Sequence, residues 1–111
     1  MRTPVPFRLL IAFLSLSACD GSARGTFRGV YTYEFEVSAF RACGTSLLWW
    51  ASGELQPMAQ TPPDPGAPGM YAVVDGELSA PGSCGHLGTY PRQLEVRKVR
   101  HVEPKPPASC P

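Results

Sequence analysis

Cysteine and histidine are the residue types in this 111-residue chain that could bind a metal or form a covalent cross-link. Thiolate and imidazole groups are good ligands for Zn and Cu(I). The candidate ligands are Cys43, Cys84, His86 and His101. Only Cys84 and His86 are close together in the sequence, and their spacing matches no zinc signature. We therefore expect no bound metal or other cofactor, and a disulfide bond at Cys43 or Cys84 is the stronger prediction.

Cys19 follows a segment that is typical of exported bacterial proteins. Two arginines make the first eight residues basic, and residues 9–16 are uncharged and almost entirely apolar. That run is too short for a permanent membrane span, which takes about 20 apolar residues, and it fits the core of a secretory signal. Leu16, two small residues and Cys19 then resemble the bacterial lipobox. The resemblance implies that the Cys19 thiol takes a diacylglyceryl group and that the signal is cut before it. The alternative is an ordinary signal peptide with a chance cysteine.

The lipobox resemblance implies a location and changes the cysteine count. A lipidated Cys19 would attach the protein to a membrane of the bacterial cell envelope, with the chain facing the periplasm. Asp20 resembles the inner-membrane retention signal of enteric bacteria, but the choice between inner and outer membrane stays open. Three cysteines then remain for one pair and one leftover thiol. We favour Cys43–Cys84, because both follow strands that would end at the same end of a barrel, although the tail that carries Cys110 is long enough to reach either.

The sequence predicts strands in four parts of the chain. Aromatic and β-branched residues alternate with polar residues over positions 27–40, which predicts one long, bent strand with a bulge or its end near Phe40. Shorter strands are predicted at residues 47–51, 70–78 and 92–102. Val99 is out of phase within the last of these strands, and a bulge near Arg97-Lys98 would explain the shift.

These elements predict an all-β fold with hardly any helix. Short strands between Gly- and Pro-rich segments, such as the exposed loop predicted at residues 60–69, are typical of a small barrel or sandwich. The long first strand and a loop or short helix in mid-chain favour a five-stranded, partly open, OB-like barrel. The segment around Gly85-His86-Leu87 would supply an extra strand or a structured loop. The predicted organisation is a signal peptide at 1–18, a lipidated N-terminus and tether at 19–26, the barrel at 27–103 and a Pro-rich tail at 104–111.

Charge and motif content argue against two classes of function. Removal of residues 1–18 leaves eight Lys/Arg and nine Asp/Glu, because two of the ten basic residues lie in the signal, so the formal net charge of the remainder is −1. A chain without a basic field is not expected to bind nucleic acid. The histidines and hydroxyls form no nucleophile–base motif, and the run around Ser83 is not a nucleophile elbow. We therefore predict that the protein is not an enzyme.

Several runs of the sequence resemble bacterial envelope lipoproteins. They are residues 31–44, Trp49-Trp50, residues 73–78 and residues 85–92. These runs look distantly similar to the C-terminal OB-type domain of the NlpE lipoproteins, which are tied to copper tolerance and envelope stress signalling. The CxxC motif of the other NlpE domain is absent from this sequence. The resemblance implies, as an alternative function, a metal-handling or stress-sensing lipoprotein that uses Cys84 and His86.

OB-type barrels hold extended ligands on one sheet face and its adjoining loops. The candidate binding face consists of four aromatic residues with a histidine and an arginine at its edge: Trp49, Trp50, Tyr71, Tyr90, His86 and Arg92. For each residue the alternative is core packing or stabilisation of a turn. The sequence therefore predicts a lipid-anchored, non-enzymatic binding or accessory module. Its expected partners are the membrane, through the anchor, and an envelope protein, peptidoglycan or glycan.

Overall fold

Five strands and one short helix make up the part of the chain that the computed structural model describes, which is residue 19 and residues 21–59 and 69–111. The strands are β1 (Gly21–Glu34), β2 (Val37–Ala42), β3 (Trp49–Gly53), β4 (Met70–Ser79) and β5 (Gln93–Glu103). The helix α1 spans Gln56–Ala59, and a single 3-10 turn spans His86–Gly88. The predicted signal peptide, Asp20 and nearly all of the predicted loop at 60–69 lie outside the described residues.

The five strands close into a barrel in the order β1-β2-β3-β5-β4. Neighbouring strands are antiparallel, except that β3 and β5 run parallel. This is the small, all-β, OB-like barrel that the sequence predicts, and it is closed rather than partly open. Closure depends on the length of β1, which pairs with β4 along residues 21–31 and with β2 along residues 29–34.

The segment predicted as one long strand at residues 27–40 is a hairpin. The chain reverses between the paired residues Glu34 and Val37, and Glu36 adopts a φ of 58° in the two-residue loop. Positive φ is uncommon outside glycine, but the short hairpin loops that suit twisted strands require it. Paired residues share a face, so the two-residue loop moves the inward positions from odd numbers in β1, such as Tyr31, to even numbers in β2, such as Phe40. The out-of-phase Phe40, where a bulge or a strand end was predicted, is therefore the sign of the reversal in the sequence.

The predicted tether is also wrong, because residues 21–26 form the first half of β1. Arg24 pairs with Glu77, and Thr26 pairs with Asp75. A strand is held by its backbone hydrogen bonds to its neighbour, so it does not need apolar side chains on both faces. The barrel consequently begins at residue 21 rather than at residue 27.

The later strands lie close to their predicted positions. β4 and β5 differ from the predicted ranges by one residue at their ends, whereas β3 begins two residues later than expected. The predicted bulge near Arg97 is confirmed, since Lys98 pairs with Asp75 and Val96 pairs with Gly76. Helix α1 includes a proline as its second residue, a position where the missing N–H costs little.

The core fills the barrel with large side chains from every strand and from α1. Its fully buried members are Tyr31, Phe40, Ala51, Met58, Met70, Ala72, Val74, Leu94 and Val96. One polar contact crosses this core: the hydroxyls of Tyr31 and Ser38 lie 2.8 Å apart, and Ser38 donates to the Ala51 carbonyl oxygen at 2.8 Å. Burial raises the pKa of the Tyr31 hydroxyl, so this group is neutral at physiological pH.

The Pro-rich tail after β5 is fastened to the outside of the barrel. Cys110 is buried against Val30 and Tyr71, which project from the outer faces of β1 and β4. Arg41 donates a hydrogen bond of 2.7 Å from Nη1 to the main-chain oxygen of Pro111. The tail therefore covers one end of the outer face formed by β1 and β4.

Candidate functional site

The four cysteines of the chain form two disulfide bonds, and the predicted Cys43–Cys84 pairing is wrong. Cys43 is bonded to Cys110, with their Cα atoms 4.6 Å apart, and Cys19 is bonded to Cys84. The expectation failed because residues 27–40 make a hairpin. Cys43 consequently follows β2 instead of the first strand, and it meets the returning tail.

Cys19, the predicted lipidation residue, lies against the loop that joins β4 to β5. Its Cα atom is 5.6 Å from that of Cys84. A sulfur that carries a diacylglyceryl thioether cannot also form a disulfide. The lipobox motif and the folded chain therefore assign different bonds to the same sulfur atom.

The predicted metal ligands do not converge in the fold. Cys43 and Cys84 belong to different disulfides. His86 Nε2 is 2.6 Å from Glu36 Oε1, while His101 Nε2 is 2.7 Å from Glu103 Oε2. Across residues 19, 21–59 and 69–111, no group of three or more Cys, His, Asp or Glu side chains is placed to hold a metal ion.

The predicted binding face is covered by the protein's own loop. Trp50 is on the opposite side of β3 from Trp49, which packs against the core. The ring of Tyr90 meets that of Trp50 edge-on, with centroids 5.3 Å apart. Gly85 lies so close to the Trp50 ring that a Cβ atom there would be 2.6 Å from it. The segment between β4 and β5 thus occupies the face on which OB-type barrels hold ligands.

The remaining members of the predicted face are separated from Trp50 or used within the fold. Tyr71 is on the outer face of β4, where its hydroxyl accepts a hydrogen bond of 2.8 Å from Arg28 Nε beneath the tail. Arg92 donates a hydrogen bond to the Ser79 carbonyl oxygen at 3.2 Å. The six predicted residues consequently do not form one binding surface.

A groove of about 380 Å³ lies elsewhere, on the outer side of β1, β4 and β5. Its polar lining consists of three arginines, two carboxylates and a hydroxyl: Arg24, Arg97, Arg100, Asp75, Glu77 and Thr26. The groove is therefore lined by three positively charged and two negatively charged side chains. We take this groove as the candidate functional site.

Two irregularities in β5 place arginines in this groove. Between the pairs Asp75–Lys98 and Gly76–Val96 the strand contains one extra residue, Arg97. A second extra residue, Arg100, lies between the residues that pair with Val73 and Val74. Bulges redirect side chains and are common beside binding sites. In a regular strand, positions 97 and 100 would point to opposite faces.

Asp75 is held at one end of the groove by two neighbours. Arg100 contacts Asp75 Oδ2 at 2.7 Å through both Nε and Nη2, and Thr26 donates to Asp75 Oδ1 at 2.8 Å. These contacts lower the pKa of the Asp75 carboxyl, Arg100 contributing most, and the same pair raises the pKa of Arg100. The carboxylate is therefore ionised at neutral pH and fixes the Arg100 guanidinium in position.

Glu77 is shared by two arginines at the other end of the groove. Its Oε2 atom is 3.5 Å from Arg24 Nε and 3.4 Å from Arg97 Nη2. These distances are long for charge-assisted hydrogen bonds. The Arg24 side chain is 88% exposed. Both guanidinium groups therefore keep N–H donors that can reach a ligand.

The sequence contains only a weak signal for this site. The bulge predicted near Arg97 points to an irregular β5, and the second bulge at Arg100 shows in the sequence only as the return of Val102 to the phase of Val96. Arg24 lies in the segment predicted as a tether. The three arginines are brought together only by pairing among β1, β4 and β5.

No helix within the described ranges is long and apolar enough to cross a membrane. Comparison of the chain with protein-family models, with curated proteins and with solved structures gave no match. The resemblance to envelope lipoproteins of the NlpE type therefore stays a prediction.

Proposed function

We propose that this chain is a lipid-anchored protein of the bacterial cell envelope that acts as a non-enzymatic binding module through the charged groove. The observation that carries the proposal is the exposed set of three guanidinium groups around Asp75 and Glu77. Guanidinium groups recognise carboxylate and phosphate groups through paired N–H donors. The ligand class is accordingly an envelope partner that presents such anionic groups, as an acidic glycan or an acidic protein segment does.

The coverage of the other faces supports the choice of this groove. The loop between β4 and β5 packs on Trp50, and the tail packs on Tyr71. The tail is fastened by the Cys43–Cys110 disulfide bond, and the loop is closed by backbone hydrogen bonds between Cys84 and Tyr90. The groove is accessible without moving either segment, so ligand binding there has no cost of opening the fold.

The order of events supports lipidation of Cys19 in spite of its disulfide in the folded chain. The lipobox is complete once the first 19 residues have emerged, whereas Cys84 lies 65 residues further along the chain. Chains emerge N-terminus first. The thiol is therefore available to acyl transfer before its disulfide partner is present, and a lipidated chain would keep Cys84 as a buried thiol.

Photo-crosslinking in cells tests the groove as the binding site. A photoreactive residue at Arg24 is expected to give a discrete crosslinked product, and a second substitution, Arg97→Gln, is expected to reduce its yield severalfold because one of two adjacent guanidinium groups is lost. The matched control places the photoreactive residue at Ser46, which is exposed on the loop between β2 and β3 and does not line the groove. Equal products from both positions, or a yield that Arg97→Gln leaves unchanged, would show that the groove is not the site.

A further inference from the structure

Large apolar side chains are exposed at two loops on a different part of the barrel. Tyr33 and Phe35, beside and in the β1–β2 loop, are 65% and 87% exposed, and Leu87, between β4 and β5, is 83% exposed. Exposed aromatic and aliphatic side chains in a group mark an interaction surface more often than scattered ones do.

A polar contact joins the two loops. His86 Nε2 is 2.6 Å from Glu36 Oε1, so the residues adjacent to this pair, Phe35 and Leu87, are carried by loops that meet. We refer to Tyr33, Phe35 and Leu87 as the apolar ridge. The ridge residues are presented by two separate parts of the chain, which the Glu36–His86 contact holds together.

The backbone at the ridge is in an unfavourable conformation. Glu36 and Leu87 are the two non-glycine residues with positive φ in the part of the chain that the structure describes, at 58° and 59°. A left-handed backbone is sterically disfavoured for leucine. Leu87 is also almost fully exposed, so its side chain gains little by packing within the fold. A residue with a strained backbone that makes no stabilising contact within the fold is often part of a functional site.

The anchor residue lies at the base of the loop that presents Leu87. Cys84 and Tyr90 exchange backbone hydrogen bonds of 2.8 and 3.0 Å, which close the loop with Leu87 near its tip. The Cα atom of Cys19 is 5.6 Å from that of Cys84, three residues before Leu87. Cys19 would be the first residue after cleavage of the proposed signal. The proposed lipid would therefore be attached close to the loop that presents Leu87.

We propose that the apolar ridge seats the barrel on the lipid surface next to its own anchor. This inference rests on the proposed membrane attachment at Cys19. Leucine and phenylalanine side chains enter the boundary between headgroups and acyl chains, and tyrosine is favoured at that interface. The loop that carries Leu87 packs on Trp50 of β3, whereas the groove is on β1, β4 and β5. Seating on the ridge therefore leaves the charged groove open to the periplasm.

Fluorescence quenching by lipids tests the seating. The variants Phe35→Trp and Leu87→Trp are processed in cells, purified from membranes and reconstituted into phosphatidylcholine vesicles with or without brominated acyl chains. The added tryptophan is expected to lose at least half of its emission in brominated vesicles, after subtraction of the signal from Trp49 and Trp50. Leu47→Trp is the matched control, because Leu47 is 60% exposed on the β2–β3 loop. Quenching at 35 and 87 that does not exceed quenching at 47 would overturn the proposal.

Mass spectrometry of the same preparations separates this inference from the proposed anchor. A lipidated Cys19 with unquenched ridge variants rejects the ridge and leaves the anchor. If Cys19 carries no lipid, the anchor is rejected, and the ridge is then tested by co-sedimentation of the unacylated protein with the same vesicles. Loss of binding in Phe35→Ser/Leu87→Asn but not in Leu47→Ser would support the ridge. Absence of binding, or an equal loss in both variants, would overturn it.

Discussion

The Cys19 sulfur can carry the proposed lipid or join Cys84 but not both. Lipidation removes one partner from a disulfide without changing the other pair, Cys43–Cys110. The two states therefore differ by a single thiol, at Cys84. That thiol would be buried, since Cys84 is almost inaccessible in the folded protein.

Protein extracted from membranes is expected to contain one alkylatable thiol per chain, at Cys84, and only after unfolding. Peptide mapping without reduction should recover the Cys43–Cys110 pair and a lipidated N-terminal peptide. Cys84→Ser should leave membrane attachment unchanged, because acyl transfer does not use that residue. Recovery of a Cys19–Cys84 peptide pair from the membrane fraction would contradict lipidation.

Asp75 makes the stability of the groove depend on pH. Its carboxyl has a lower pKa in the folded protein than its ordinary value of 3.8, chiefly because of Arg100. The stabilising contribution is therefore fully present above pH 3.8 and is lost as the pH falls through the folded-state pKa. Arg100→Gln should flatten the dependence of unfolding free energy on pH in this acid range, as measured by urea unfolding. Arg97→Gln, which does not contact Asp75, should keep the wild-type slope.

The parallel pair β3–β5 contains a position, Gly53, that leaves no room for a side chain. Gly53 ends β3 with a φ of 99°, and a Cβ atom there would clash with the Val96 carbonyl oxygen. Glycine therefore serves two purposes at this position, a left-handed backbone and a close approach of two strands. The sequence shows only a glycine after a short apolar run.

Gly53→Ala is expected to destabilise the fold by more than the roughly 1–3 kcal/mol that backbone strain alone costs. Gly44→Ala is the matched control, because Gly44 has a φ of 82° but a Cβ atom there would meet nothing within 4 Å. The midpoints of urea unfolding compare the two variants. Similar losses at both positions would mean that the contact with Val96 adds nothing.

Strands could be predicted from the sequence where the alternation of neighbouring residues indicates them. β4 and β5 show their own alternation, and the phase shift of Val99 revealed the bulge at Arg97. The turn at Glu36 was missed because the out-of-phase Phe40 was interpreted as a bulge or strand end, whereas the two-residue loop had moved the inward face to even positions. The second bulge, at Arg100, was missed because the out-of-phase Val99 was attributed to one bulge, although the return of Val102 to the phase of Val96 requires a second one.

Over the whole molecule, the disulfide bonds compensate for a small core. Cys43 and Cys110 are 67 residues apart in sequence, so their bond joins the end of β2 to the C-terminal tail. A cross-link between distant residues restricts the unfolded chain more than one between close residues does. The bond also holds the tail over Val30 and Tyr71.

Replacement of both cysteines, Cys43→Ser and Cys110→Ser, is expected to cost about 2–4 kcal/mol of unfolding free energy. The reason is the larger conformational freedom of the unfolded chain together with release of the tail. Thermal and urea unfolding measure the loss, and exposure of Tyr71 to solvent reports the tail. A variant as stable as the wild type would mean that tail packing, rather than the cross-link, holds this end of the protein.

The sequence by itself determined the fold class, since alternation and Gly/Pro-rich breaks are local signals that favour short strands around a small barrel. The resemblance to a lipobox is likewise a local signal, because the residues that carry it are contiguous. Only the tertiary structure decided the hairpin, the cysteine pairing, the covering of Trp50 and the charged groove. Apart from the hairpin, each of these depends on which distant segments pair and in what register, and backbone hydrogen bonds of that kind are nearly independent of side-chain type. Arg24, Arg97 and Arg100 become one site only when β1, β4 and β5 pair around the barrel.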